Sequence, residues 1–133
     1  MIGYPRLLTK VELASIPSIC VAGERLAYVD SVKNLGLVMN NRLTWGGQVT
    51  AISNKVISLV QRLNRYREEL PFGVRKILVQ SLVLPAFDYG SIVYHDLAVT
   101  LAVRLQRLQN SAVRFIFKVP RDVHITPYYA RLE

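Results

Sequence analysis

The change of hydrophobic period at Trp45 constrains this chain more than any other feature. From there Val49, Ile52, Val56, Leu59, Leu63, Tyr66 and Leu70 recur by alternate steps of three and four. That rhythm is the apolar stripe of one helical face. The stripe predicts a helix of about 25 residues, with Thr44 as its N-cap and Pro71 as its stop. A second helix is expected to start near Gly73 and to bury Val74, Ile77, Leu78 and Leu82. It should end or kink at Pro85, where a backbone donor is missing, and helical character should resume from Phe87 to Tyr94. A third helix is expected from a cap at Asp96 to about Phe117 or Lys118, with Leu101, Leu105, Leu108, Ala112 and Phe115 along its seam. Three amphipathic helices on short connections make a three-helix bundle. Its core should bring together Val56, Leu59, Leu63, Leu82, Leu105, Leu108 and Phe115.

The residues before Trp45 follow a different pattern. Ser18 to Ala22 and Arg25 to Val29 are short apolar runs around Gly23-Glu24, a hairpin signal because glycine supplies the positive φ that tight turns require. Val32 to Met39 is expected as a third strand, ending at the turn-prone pair Asn40-Asn41. So small a sheet is marginal by itself. The predicted class is α+β, mostly α: a small antiparallel β segment over 1–44, a basic helical bundle over 45–118, and an irregular tail over 119–133.

The second regular pattern is cationic. Arg104, Arg107, Ser111, Arg114 and Lys118 share one face of the third helix, about a quarter-turn from its apolar seam. Lys55, Arg62 and Arg65 form a similar flank on the first. A solvated face would give the same spacing, so the distribution of charge matters. The chain holds 17 Lys and Arg against nine Asp and Glu, a net of +8, and all of that excess lies between Arg42 and Arg121. A local excess of this kind suits the phosphates of a nucleic acid. An anionic membrane fits less well, because the cations accompany core seams rather than a wide exposed apolar face.

Several classes of chemistry are excluded or disfavoured. A hydrophobic content of 51% does not describe a disordered basic tail. No apolar run has the length of a membrane span, and Pro5, Arg6, Lys10 and Glu12 interrupt any signal peptide, so an intracellular location, nuclear or cytoplasmic, is expected. The lone Cys20 cannot form an internal disulfide, and with His95 and His124 far apart it does not make a zinc site. Trp45-Gly46-Gly47 lacks the spacing and the following Lys-Ser/Thr of a phosphate loop. Asp88 and Asp96 stand apart, not clustered as two-metal catalysis requires. Tyr28-Val29-Asp30 is followed by Ser31, so it lacks the second carboxylate of a Tyr-x-Asp-Asp box. The chain is not expected to be an enzyme on its own, and no cofactor is expected in it.

The order of several short segments nevertheless resembles one family. Val32-Lys33-Asn34-Leu35-Gly36, Leu43-Thr44-Trp45, Leu70-Pro71-Phe72, Gln80-Ser81-Leu82-Val83-Leu84-Pro85, Phe87-Asp88-Tyr89, Leu105-Gln106-Arg107-Leu108-Gln109-Asn110 and Val113-Arg114-Phe115-Ile116 are similar to the reverse transcriptase of non-long-terminal-repeat (LINE-type) retrotransposons of arthropod genomes. The likeness runs from about Ile2 to Tyr129 and concerns the part after the catalytic palm motifs. It implies that Leu35 and Gly36 lie in the palm-end hairpin that positions the primer terminus. It also implies that Trp45 to Lys118 form the thumb gripping an RNA template and DNA primer duplex, with the missing palm and fingers of the polymerase as further partners. The paired catalytic aspartates, and the divalent metal (Mg) they hold in the parent enzyme, would belong upstream of Met1. The family pattern continues past Glu133, so both ends look truncated, and Asn40 stands where such elements often carry Asp. The competing expectation is an inactive relic, or a structural or interaction fragment with no independent nucleic-acid role.

Overall fold

Two Xaa-Gly pairs decide the path of the N-terminal part. In the computed structural model, which describes residues 16–93 and 97–132, Ala22 and Gly23 have φ of 53° and 84°, and Leu35 and Gly36 have 46° and 82°. Positive φ at both central residues is the geometry of a two-residue hairpin turn, which glycine adopts without a Cβ clash. Each pair accordingly closes an antiparallel hairpin: β1 (Cys20–Val21) with β2 (Glu24–Arg25), and β3 (Ser31–Asn34) with β4 (Leu37–Asn40). The first turn is one residue earlier than the expected Gly23-Glu24. The predicted single strand over 32–39 is corrected to a hairpin, pairing Val32 with Met39 and Lys33 with Val38. Apolar content marked this stretch as extended, but it could not show that Leu35-Gly36 reverses the chain.

The chain divides into two compact units, Met1–Gln48 and Val49–Glu133, where sequence placed the break at 44–45. In the first unit Leu37, Trp45 and Gln48 are buried. Gln48 accepts a hydrogen bond from the Val38 amide at its Oε1 (2.9 Å), satisfying a ladder group that β3 does not reach. Thr44, expected as the N-cap, lies one residue before that position. Its hydroxyl accepts from Asn40 Nδ2 at 2.7 Å and its amide donates to Asn40 Oδ1 at 2.9 Å, so the pair closes the loop after β4. Helix α1 (Gly46–Asn64) then starts one residue later than expected, after Trp45 at φ 59°.

The second unit contains the rest of α1, α2 (Phe72–Leu78), a π-helical turn (Val79–Val83), α3 (Leu84–Asp88), α4 (Val99–Phe117) and α5 (Thr126–Tyr129). The protein is thus α+β and mostly α. The α1 stripe is buried at Val49, Ile52 and Val56, after which Val60 is buried rather than the expected Leu59, and Ser53 Oγ donates to the Val49 carbonyl at 2.7 Å. The helix stops at Asn64, short of Pro71. Beyond it Tyr66, Arg67 and Glu69 donate back three residues to Leu63, Asn64 and Tyr66, so the chain winds tighter, and Tyr66 leaves the stripe for solvent.

Pro85 does not end the second helix. The proline ring would meet the carbonyl four residues back. The preceding turn widens instead, with the Leu84 amide donating five residues back to Val79. The helix therefore continues from Phe72 to Asp88 with a changed facing. The buried residues are Arg75, Val79, Val83, Ala86 and Phe87, while the predicted Val74, Ile77 and Leu82 are exposed and Leu78 is half-buried. Both faces of this helix are apolar enough to be the inner one, and composition does not choose between them. Helical character does not resume after Phe87. Tyr89 is extended, and Gly90 at φ 72° opens a series of turns to Val93. The expected cap at Asp96 and the end of that segment at Tyr94 lie outside the described residues. The N-cap position of α4 is Ala98.

Of the expected common core, Val56 and Phe115 are fully buried, Leu59, Leu63, Leu105 and Leu108 are half-buried, and Leu82 is outside it. The tail is more ordered than its sequence indicates. The ring of Phe117 lies 5.2 Å from Phe72 and 5.0 Å from Tyr128, with the Arg131 guanidinium 5.5 Å above it.

Candidate nucleic-acid interface

The cations of the second unit fall into three sets, separated by what their side chains touch. Arg75 is buried, which no sequence pattern indicated. Its Nε donates to the Ile116 carbonyl at 2.8 Å, and its Nη1 donates to the carbonyls of Leu70 (2.8 Å) and Arg67 (3.3 Å). One guanidinium therefore satisfies the turn after α1 and the last turn of α4, whose carbonyls have no helical partners. Its five fixed donors suit this role as a lysine ammonium would not.

The second set caps α4. Lys118 is its C-cap residue, in the left-handed region at φ 57°. Its Nζ donates to the Glu68 carbonyl and to Glu68 Oε2, each at 3.0 Å. That hydrogen bond and charge hold the exposed Glu68 carboxyl below the usual carboxylate range, with a smaller contribution from Arg67. Arg114 Nε donates to the Pro120 carbonyl at 3.2 Å, and its Nη2 donates to the carbonyls of Arg121 (3.3 Å) and Val123 (3.1 Å), fixing the chain as it leaves the helix.

The third set faces solvent. Lys55 and Arg62 are exposed on α1, and Arg65 is exposed in the turn just past its end rather than on the helix. Arg104 and Arg107 are exposed on α4, where Arg104 Nη1 reaches Thr50 Oγ1 at 3.4 Å and Arg107 has no side-chain partner among the described residues. Among the described residues the ion pairs are Arg67–Glu68 and Lys118–Glu68, so neither of these flanks is paired with a described carboxylate.

Two contacts orient the helices that present these rows. Thr50 meets Arg104 near the starts of α1 and α4, and Glu68 meets Lys118 beyond their ends. The two helices therefore run in the same direction, as the first and third members of an up-down-up bundle do. Between them lies a cavity of about 250 Å³, open to solvent, reached by Ile57, Asn64 and Arg67 from the α1 side and by Leu108 and Arg114 from α4. At about 100° per residue, Lys55 and Arg62 lie about 140–160° around α1 from Ile57. The α1 row therefore points away from the cavity, whereas Arg104 and Arg107 share the α4 flank with Ser111 and Arg114. The seven basic positions singled out from sequence make two rows on different faces, and the two at the C-terminal end of α4 already bind the chain itself.

Leu35 and Gly36 occupy the tip of the second hairpin, with Leu35 84% exposed. Among the described residues no group of three or more His, Cys, Asp or Glu converges, and no helix of the described residues is long and apolar enough to cross a membrane. No protein-family model, curated protein or solved structure matches the chain.

Proposed function

We propose that this chain is the palm-end and thumb portion of a LINE-type retrotransposon reverse transcriptase, and that it grips a template–primer duplex through phosphates. The observation that carries this reading is the row of cations on exposed helical flanks with no carboxylate paired to them among the described residues. Such a row has an electrostatic field directed to solvent, and phosphate contacts of this kind position a nucleic acid without reading its bases. The α4 row is the principal contact, with Arg104 and Arg107 about 4–5 Å apart along the axis. Lys55, Arg62 and Arg65 serve a second strand or a neighbouring segment. Leu35 and Gly36, at an exposed turn, suit a backbone approach to the primer end. Polymer synthesis belongs to the whole polymerase, whose palm would supply the catalytic aspartates and the metal.

The bonds of Arg114 and Lys118 favour a second reading, in which the basic face serves the fold and the fragment has no nucleic-acid role of its own. Binding of an RNA–DNA hybrid across a salt series separates the two. Under the first, affinity falls steeply with salt, and Arg107→Ala lowers the logarithmic slope by about one, while Arg25→Ala, in β2, leaves it unchanged. An unchanged slope for Arg107→Ala would exclude the α4 row as the duplex contact.

A further inference from the structure

The cavity between α1 and α4 has a composition that the duplex grip does not explain. Its wall is apolar, with Ile57 and Leu108 offering accessible surface above buried Val56, Val60 and Phe115. Arg67, Arg114 and Arg121 also line it and make it cationic. These three arginines differ from Lys118 in how their charge is held. Arg114 is fixed by three backbone carbonyls through Nε and Nη2, and carbonyls orient a guanidinium without neutralising it. Its Nη1 has no acceptor among the described residues. Arg67 uses only Nε, in a 3.4 Å contact with Glu68 Oε1, and the Glu68 carboxylate is shared with Lys118. Arg121 is exposed, and its side chain has no partner among the described residues. Gln61 and Asn64 add two side-chain amides on the α1 wall.

An apolar wall, amides that both donate and accept, and three arginines among the lining residues suit an amphiphilic anion better than a bare one. A space of about 250 Å³ is far too small for a duplex but admits one nucleotide unit. We infer that this groove is a single-nucleotide site. The phosphate sits on Arg67, Arg114 and Arg121, and the base lies against Ile57 and Leu108 with its edge toward Gln61 and Asn64. In a nucleic acid, the occupant is one unpaired nucleotide beside the duplex. The site does not depend on the retrotransposon parentage or on the solvent-facing row of Arg104 and Arg107.

The test uses the full chain, isotope-labelled for NMR and titrated with adenosine monophosphate, adenosine and inorganic phosphate. Expected are saturable shifts of the amides of Asn64, Arg67, Ser111 and Arg121, with adenosine and inorganic phosphate each binding at least tenfold more weakly than the nucleotide. Arg121→Ala, and independently Arg67→Ala, should weaken nucleotide binding at least tenfold. Arg25→Ala, in β2, should leave it unchanged. Shifts confined to Lys55 and Arg62, inorganic phosphate binding as well as the nucleotide, or both groove variants retaining full affinity would each overturn the site. Nucleotide binding with no duplex binding would reject the proposed grip and leave this site standing.

Discussion

Arg75 shows at the residue scale how one side chain can join parts of the chain distant in sequence. Its three acceptors come from Arg67, Leu70 and Ile116. Arg75→Met keeps much of the side-chain volume but leaves three carbonyls without their donors. A hydrogen bond to a charged group contributes about 1.5–3 kcal/mol, so the variant should lose roughly 3 kcal/mol in denaturant unfolding. A loss below about 1 kcal/mol would mean that water replaces the guanidinium. Glu68 gives the corresponding pH prediction. Its folded pKa is lowered, so its bridge to Lys118 contributes fully above the ordinary carboxylate value and is lost as pH falls through the depressed one. Side-chain NMR should place the Glu68 midpoint below that of an unpaired glutamate. Lys118→Gln should return the midpoint toward the ordinary value. Salt should weaken the effect, because the carboxylate is exposed.

At the scale of elements, the π-helical turn ahead of Pro85 determines which face of the middle helix is inside. Val83 is fully buried, whereas its neighbour Leu82 is 44% exposed. Val83→Ala should therefore cost about 2 kcal/mol from lost apolar burial and the cavity left behind. Leu82→Ala should cost less than about 1 kcal/mol, as surface changes do. Chemical denaturation of the two variants checks the order. The reverse order would restore the face expected from sequence. This helix was legible as a helix from its periodicity, but its facing was not. Val74, Ile77 and Leu82 are as apolar as the residues that are buried, and the helix buries an arginine that simple patterning assigns to solvent. Stabilisation of that arginine comes in part from the Ile116 carbonyl, 41 residues away, which no local window contains.

For the whole molecule, the two units differ in how their backbone is protected. Each hairpin is an isolated two-stranded ladder, and every described residue from Pro17 to Gly36 is exposed. In α4, by contrast, Ala112, Val113, Phe115 and Ile116 are all buried. Two-stranded ladders are marginal in water, so hydrogen exchange should show fast exchange from Cys20 to Asn34 and the slowest amides at Ala112 to Ile116. Equal protection in the two regions would show that the hairpins are covered by something beyond their own ladders. The candidate sites follow the same division. Lys55, Arg62, Arg104 and Arg107 were recognisable because charge at helical spacing is a local property. Arg67 and Arg121 were not, since one lies in a tight turn and the other in a stretch with no period, and their importance comes only from facing one cavity.

Sequence alone determined that helices would form after Trp45, that a small β segment would precede them, and that the net charge would lie on the helical part. Each of these follows from periodicity or composition within a single segment, where one residue type at one spacing has a direct physical meaning. The tertiary structure decided which apolar face turned inward, where α1 stopped, and which cations remained available for a ligand. Those outcomes depend on acceptors and neighbours distant in sequence. The carbonyl of Ile116, 41 residues away, selects Arg75 as part of the fold, and it becomes accessible to that side chain only once the helices have packed.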